Sequence, residues 1–300
     1  MKENSNPNNF QDKTQLSEAE ATLLASELKK KLLEGKLPST DKDLIKKIIA
    51  GLGDRRGMLR RTFSESLGLI GNTVIPELRI ALLNNPNVIV RRAAAKTLRL
   101  VGDSKALPDL LKALLEDQDP VVQGSAVGAM AIFGEEAIPH LIQVLDNPKS
   151  SEMQCGLASW GLSYVGANGS KALKEATKST NKKVRACSIA ALGEQIQSYD
   201  DKEAKNILIN ALNDPSDEVK IEAIKLIGML NDQQWNNHQI GLNLNHQNSQ
   251  IRKQSALSLM KLKAIDQLSH LETALETEQD QEVIKIINLS IRQIKVFKKD

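Results

Sequence analysis

Apolar residues recur along this chain at a helical spacing. From Val90, the positions Ala93, Ala94, Thr97, Leu98 and Val101 follow at i+3, i+4, i+7, i+8 and i+11. That series lies on one face of an α-helix. Gly102 then supplies a stop, since a left-handed cap costs glycine no Cβ clash. Pro108 falls near the start of a second amphipathic helix over residues 107–115, where its missing N–H loses nothing. Asp119-Pro120 turns the chain, and Asn85-Pro86, Asn147-Pro148 and Asp214-Pro215 do the same elsewhere.

The unit repeats. An aliphatic or Met residue opening a helix occurs at Leu59, Val90, Val122, Met153, Val184, Val219, Ile251 and Val283, at intervals of 31, 32, 31, 31, 35, 32 and 32 residues. Glycines follow at Gly71, Gly102, Gly134 and Gly166. A helical hairpin of this size cannot bury its apolar face alone, and stacking the hairpins buries it. The predicted fold is all-α, an α-solenoid of helical hairpin repeats. Residues 1–15 read as a polar disordered tail and 16–52 as capping helices, the first opened by a Ser17/Glu20 capping box. Residues 53–300 read as the repeat array, one continuous domain with its caps. Trp235-Asn236-Asn237-His238 interrupts the pattern after the sixth unit.

Composition agrees with thin helical layers. Hydrophobic residues make up 41 % of the chain but aromatics only 3 %. The net charge of +3 argues against a broad nucleic-acid-coating surface. Cys155 and Cys187 are too few for a disulfide framework, so a reducing compartment is expected. With no signal peptide and no apolar stretch near the ~18 residues of a membrane span, the expected location is the cytoplasm. His140, His238, His246 and His270 show no metal spacing, and neither cysteine lies in a Cys-x-x-Cys pair, so no metal site is expected.

Val-Arg-Arg-Ala-Ala-Ala at Val90–Ala95, Val-Gly-Asp at Val101–Asp103 and Leu-Pro-Asp-Leu-Leu at Leu107–Leu111 resemble HEAT-like repeats of the phycobilisome-lyase type. Gln123-Gly124-Ser125-Ala126, Gly156-Leu157-Ala158-Ser159-Trp160 and Leu192-Gly193-Glu194-Gln195-Ile196 add a likeness to single-chain bilin lyases serving phycoerythrin. The resemblance covers about residues 41–295. It implies attachment of phycoerythrobilin, a substrate rather than a tightly bound cofactor, to a cysteine of a phycobiliprotein subunit. The nucleophilic thiol then belongs to the partner, and a second lyase chain is a further conceivable partner. Membrane and nucleic acid are not among the implied partners. The competing class is a non-enzymatic HEAT-repeat scaffold or chaperone that binds phycobiliproteins during phycobilisome assembly or degradation.

Helical geometry then nominates a ligand face. The resemblance implies that the second helix of each pair lines the concave side; on the helix that Val90 opens, the direction opposite the buried stripe is Arg92, Ala95 and Arg99. The same register gives Arg61 in the first unit and Val127 in the third. It continues through Cys155, Ala158 and Leu162, Ile189, and Ile224. The middle of this stripe is small and apolar. Either tight packing hides it or an apolar ligand sits on it. Nine basic residues stand against Asp54, Glu65 and Glu77 between residues 54 and 99. Arg61, Arg92 and Arg99 suit the two propionates of a bilin. Arg60 and Arg91 read as a structural ladder to neighbouring turns. Cys155 reads as a small packing residue before a covalent carrier, and Trp160 and Tyr164 read as core. Glu65 and Glu194 are placed to act as proton donors.

Overall fold

The computed structural model describes residues 15–230 and 237–297. Among these residues all regular structure is helical. Two compact units divide the chain, residues up to 140 with 150–157, and residues 141–149 with 158 onward.

The first unit opens with α1 (Glu18–Leu33) and α2 (Lys42–Gly51). The capping box forms as read: the Ser17 hydroxyl accepts the Glu20 N–H, and Glu20 accepts the Ser17 N–H at 2.8 Å. Then come α3 (Gly57–Ile70), α4 (Ile75–Asn84), α5 (Val88–Val101), α6 (Leu107–Glu116) and α7 (Pro120–Met130). The odd-numbered helices α3, α5 and α7 pack side by side, with α2, α4 and α6 as a second layer behind them. The predicted pattern is what packs: Val90, Ala94 and Leu98 on α5 are all buried. Gly102 ends α5 in the left-handed region, its N–H donated to the Leu98 carbonyl. Residues 57–84 have the length and composition of a membrane span, contrary to the expectation that no stretch approaches one. Gly71, at φ +77, breaks that stretch into two helices, α3 and α4, of one hairpin.

A helix α8 (Ile138–Asp146) and the long α9 (Glu152–Val165) follow. The second unit continues with α10 (Ser170–Ala176), α11 (Lys182–Ala191), α12 (Gly193–Tyr199), α13 (Lys202–Ala211), α14 (Asp217–Leu230), α15 (Asn237–Leu242), α16 (Ser249–Lys261), α17 (Leu268–Thr277) and α18 (Gln281–Phe297). Here α11, α14, α16 and α18 form the side-by-side layer. The extra helix α12 accounts for the one long repeat interval. The expected tail of residues 1–15 lies outside the described residues except for Gln15, and the Trp235-Asn236 interruption lies outside them too.

A ladder of side chains ties hairpin to hairpin. Arg91 donates to the carbonyls of Asn85 and Pro86 and pairs with both oxygens of Asp117. Arg185 does the same with Ser179, Thr180 and Asp214, and Arg252 with His246, Gln247 and Glu278. Arg60 reaches the carbonyls of Asp54 and Arg55. The ladder reading of Arg60 and Arg91 is therefore correct. These forked pairs hold the Arg91, Arg185 and Arg252 guanidiniums above their ordinary pKa, through the hydrogen bonds they donate to the carboxylates. Glu278, hydrogen-bonded by Arg252, is driven down to about 2.

The fourth long helix breaks the expected register by one residue. Gln154, not Met153, occupies the buried opening position of α9, and Ala158, Leu162 and Val165 follow it inward. Gln154 is not an orphan there. Its amide donates to the Leu114 and Leu115 carbonyls at 3.2 and 3.0 Å, and its carbonyl accepts the Ser151 N–H at 2.8 Å. Carbonyls in the last turn of α6 lack intrahelical partners, so a buried amide satisfies them where an aliphatic could not. One residue is about 100° of helix rotation. Met153, Trp160 and Tyr164 therefore turn outward, at 56 %, 48 % and 53 % exposure, and the expectation that they are core is corrected.

Candidate functional site

Each of α3, α5, α14 and α16 has a short helix behind it and a helix on either flank. This decides which arc remains open. The residues opposite the main buried stripe are not that arc. Ala95, Val127, Ile189 and Ile224, five places after each opening residue, are buried. Gly68 shows how close α3 comes to α5: a Cβ there would stand 3.1 Å from the Leu100 Cβ. Val127, Ala158, Leu162, Ile189 and Ile224 are accordingly packing residues, not a ligand surface. Of the two readings of the small apolar stripe, burial holds. Cys155 is half-buried and, after the register correction, sits at the ladder position held by Arg91 and Arg185, so it is not a groove residue either.

The open arc lies one place before, and six and ten places after, the opening residue. In the first unit it carries Met58, Glu65 and Leu69 on α3, Ile89, Lys96 and Leu100 on α5, and Val121, Gly128 and Ile132 on and just beyond α7. Between α5 and α7 it holds a groove of 480 Å³. Arg92, Lys96 and Arg99 form one wall; Val121, Gly124, Ser125 and Gly128 form the other. A second recess of 320 Å³ lies across Arg92 and Lys96, toward Arg55, Arg60 and Ile89. The α7 wall is bare because glycines stand where α5 has Arg92 and Lys96.

Charge pairing divides the basic residues of the first unit, with Arg60 held by backbone carbonyls alone and Arg55 carrying no carboxylate at ion-pair distance among the described residues. Arg56 is held by Asp54, Arg79 by Asp109, Arg91 by Asp117 and Arg61 by Glu65 at 2.7 Å. Arg92, Lys96 and Arg99 have no carboxylate at ion-pair distance among the described residues. Arg92 is half-buried, and its Nε is shielded from solvent with no acceptor. Such a group carries an unmet desolvation cost that an incoming anion would relieve. Of the three arginines assigned to propionate binding, Arg92 and Arg99 line the groove. Arg61 is exposed, already neutralised, and outside the groove lining. Glu65 shares that pair.

In the second unit the outward arc carries Trp160 and Tyr164, whose ring centroids lie 5.6 Å apart at 39°. Glu194 is exposed at the matching place one repeat on, and its carboxylate lies over Gly166. A Cβ on Gly166 would collide with that carboxylate, and its φ of +49 independently favours glycine.

The sequence contained a signal for the correct register. Counting back twelve residues from Gly71, Gly102 and Gly134 lands on Leu59, Val90 and Val122; the same count from Gly166 lands on Gln154. With that register, Lys96, Gly128 and Trp160 stand six places, and Tyr164 ten places, after their opening residues, the positions that the fold leaves open.

A HEAT-repeat family model matches residues 75–157, 170–234 and 206–292. The chain is 42 % identical over 279 residues to "Bilin biosynthesis protein MpeU" of Synechococcus sp. (strain WH8020), covering 93 % of this chain and 94 % of that one. It is 32 % identical over 116 residues to "Phycocyanobilin lyase subunit alpha" of Picosynechococcus sp., covering 36 % and 39 %. Among solved structures, the karyopherin Kap121p aligns with a TM-score of 0.50 at 12 % identity over 94 % of this chain and 42 % of that one, a likeness of fold alone.

Proposed function

The chain belongs to the HEAT-repeat family of bilin lyases, and from that membership we propose that it binds phycoerythrobilin and attaches it, through a thioether, to a cysteine of a phycoerythrin subunit. The carrying observation is the basic trio without partners beside a bare wall in the first unit. A bilin is a long conjugated frame with two propionates. Arg92 and Arg99 are seven residues apart on α5, about 10 Å along the helix at 1.5 Å per residue. Each can take a carboxylate with a two-pronged hydrogen bond, and Lys96 between them adds a point charge. Val121, Gly124 and Gly128 leave room for a flat body against α7.

The bond-forming step needs no oxidant or resident cofactor. The partner's thiol adds across a vinylic carbon–carbon double bond of the bilin. A sulfur–carbon bond forms, and the thiol proton is replaced by one delivered to the neighbouring carbon. The lyase contributes by holding ligand and acceptor in reacting geometry, which can be worth several kcal/mol of barrier. This chemistry belongs in the cytoplasm, where thiols stay reduced.

The test has two readouts. Purified protein is mixed with free phycoerythrobilin and the visible spectrum recorded; apo-phycoerythrin subunit is then added and its mass measured. The expected results are a saturable change in the bilin band and a subunit heavier by one bilin. An unchanged bilin spectrum would instead favour the scaffold reading, in which the same surface docks an acidic phycobiliprotein with strong salt dependence.

A further inference from the structure

The outward turn of α9 has a chemical consequence in the second unit. Trp160 and Tyr164 are one helical turn apart, both about half exposed, with rings 5.6 Å apart at 39°. Exposing an indole and a phenol together on a helix is costly in a chain with aromatics at 3 %, most of whose open arc is aliphatic, small or charged. The corresponding outward positions one repeat earlier are Gly128 and Ile132, and one repeat later Ala190 and Glu194. The fold therefore does not require rings there. Burial of Gln154 holds them outward.

Beside them stands an acid. Gly166 follows Tyr164 by two residues, and the Glu194 carboxylate lies directly over it, in space that any Cβ at 166 would take. Among the described residues Glu194 has no cationic partner at ion-pair distance. The adjacent Gln195 is buried and tied down, its amide donating to the Gly166 carbonyl at 3.4 Å. That bond anchors the backbone next to the acid.

Resting on the bilin-lyase reading above, we propose that Trp160 and Tyr164 form a stacking platform for the conjugated pyrrole rings of the bilin, and that Glu194 accepts their N–H groups. The chemistry is complementary on both counts. A flat π-system stacks on offset rings. A row of pyrrole N–H donors, cationic when the bilin is protonated, favours a carboxylate over any neutral acceptor. An apolar protein partner would match the rings but leave Glu194 facing it without a donor. All three contact the ligand, and none takes part in the covalent step.

The experiment titrates the full chain with free phycoerythrobilin and reads affinity and band position in the visible spectrum. Trp160→Leu and Tyr164→Leu should each weaken binding about tenfold, whereas Trp160→Phe should stay within about threefold, because it keeps a ring. Helicity and melting temperature should match the parent, since both side chains face outward. Glu194→Gln should shift the bound bilin's absorption maximum toward that of the unprotonated pigment while keeping most of the affinity. If the parent binds bilin but Trp160→Leu and Tyr164→Leu bind within twofold of it, the platform is wrong and the lyase reading stands. If the parent leaves the bilin spectrum unchanged, both fall together. An unmoved absorption maximum in Glu194→Gln would remove the acid from the proposal.

Discussion

Helices α5 and α9 occupy the same place in their repeats and bury the same pattern, yet they show the outside different chemistry. Inward, α5 uses Val90, Ala94 and Leu98, and α9 uses Gln154, Ala158 and Leu162. Outward, α5 presents Lys96 and Leu100 with Arg92 and Arg99 beside them, while α9 presents Met153, Trp160 and Tyr164. Buried positions answer to packing against three neighbours and tolerate few side chains. Outward positions answer to nothing in the fold, so they are free to be chosen for a ligand. One helix turns cations outward, the other rings.

The sharpest way to break this comparison is to place the same charge at an inward and an outward site. Ile224→Glu buries an unpaired carboxylate at a fully buried position. It should cost more than about 4 kcal/mol and abolish the cooperative melt followed by circular dichroism. Lys96→Glu should leave the melting temperature within a few degrees while abolishing bilin binding. A stable, helical Ile224→Glu protein would mean that the inward and outward arcs are wrongly drawn.

Next in size is the ladder, which both units share. Glu278 is about 2 when folded against an ordinary carboxylate value of 4.5. A depressed folded pKa contributes stability that is complete above the unfolded value and is lost as pH falls from about 4.5 toward 2. The contribution is up to roughly 3 kcal/mol, since one pKa unit is about 1.4 kcal/mol. Glu278→Gln should therefore lower stability at pH 7 and flatten the acid side of a stability-against-pH curve measured by urea melts. An unchanged acid limb would show that Arg252 and Glu278 are not coupled in solution.

Gln154→Ala probes the register itself. It removes two donated hydrogen bonds and leaves the Leu114 and Leu115 carbonyls facing apolar surface, at about 2 kcal/mol. It should also loosen the outward hold on Trp160, seen as a changed tryptophan emission spectrum in a Trp235→Phe background. Wild-type stability together with unaltered emission would remove Gln154 from its role.

The smallest effect separates the two groups of arginines. Arg92→Ala and Arg99→Ala should each weaken phycoerythrobilin binding about tenfold, the equivalent of ~1.4 kcal/mol. Arg92→Lys should recover only part of that, because Lys lacks the fork. Arg61→Ala should change affinity less than twofold, because Glu65 already engages that side chain. Equal losses at Arg61 and Arg92 would erase the distinction between paired and partnerless cations.

Much of this was legible in the residues alone. The repeat length, the helix pairs, the glycine stops, the Ser17/Glu20 box and the ladder role of Arg60 and Arg91 all follow from local rules, because each depends on residues within about one hairpin. Arg92 and Arg99 were legible as candidates for the same reason. What only the tertiary structure decided is which arc of each long helix stays open. A single helix viewed by itself has one buried face and one opposite face. A helix flanked on two sides has its opposite face partly covered, which turned Val127, Ile189 and Ile224 from a supposed ligand surface into packing. The rotation of α9 was written in the glycine spacing but not in the hydrophobic pattern, since the carbonyls that draw Gln154 inward belong to Leu114 and Leu115, about forty residues upstream. Hydrogen bonds between distant segments set that rotation, and a hydrophobicity pattern does not record them.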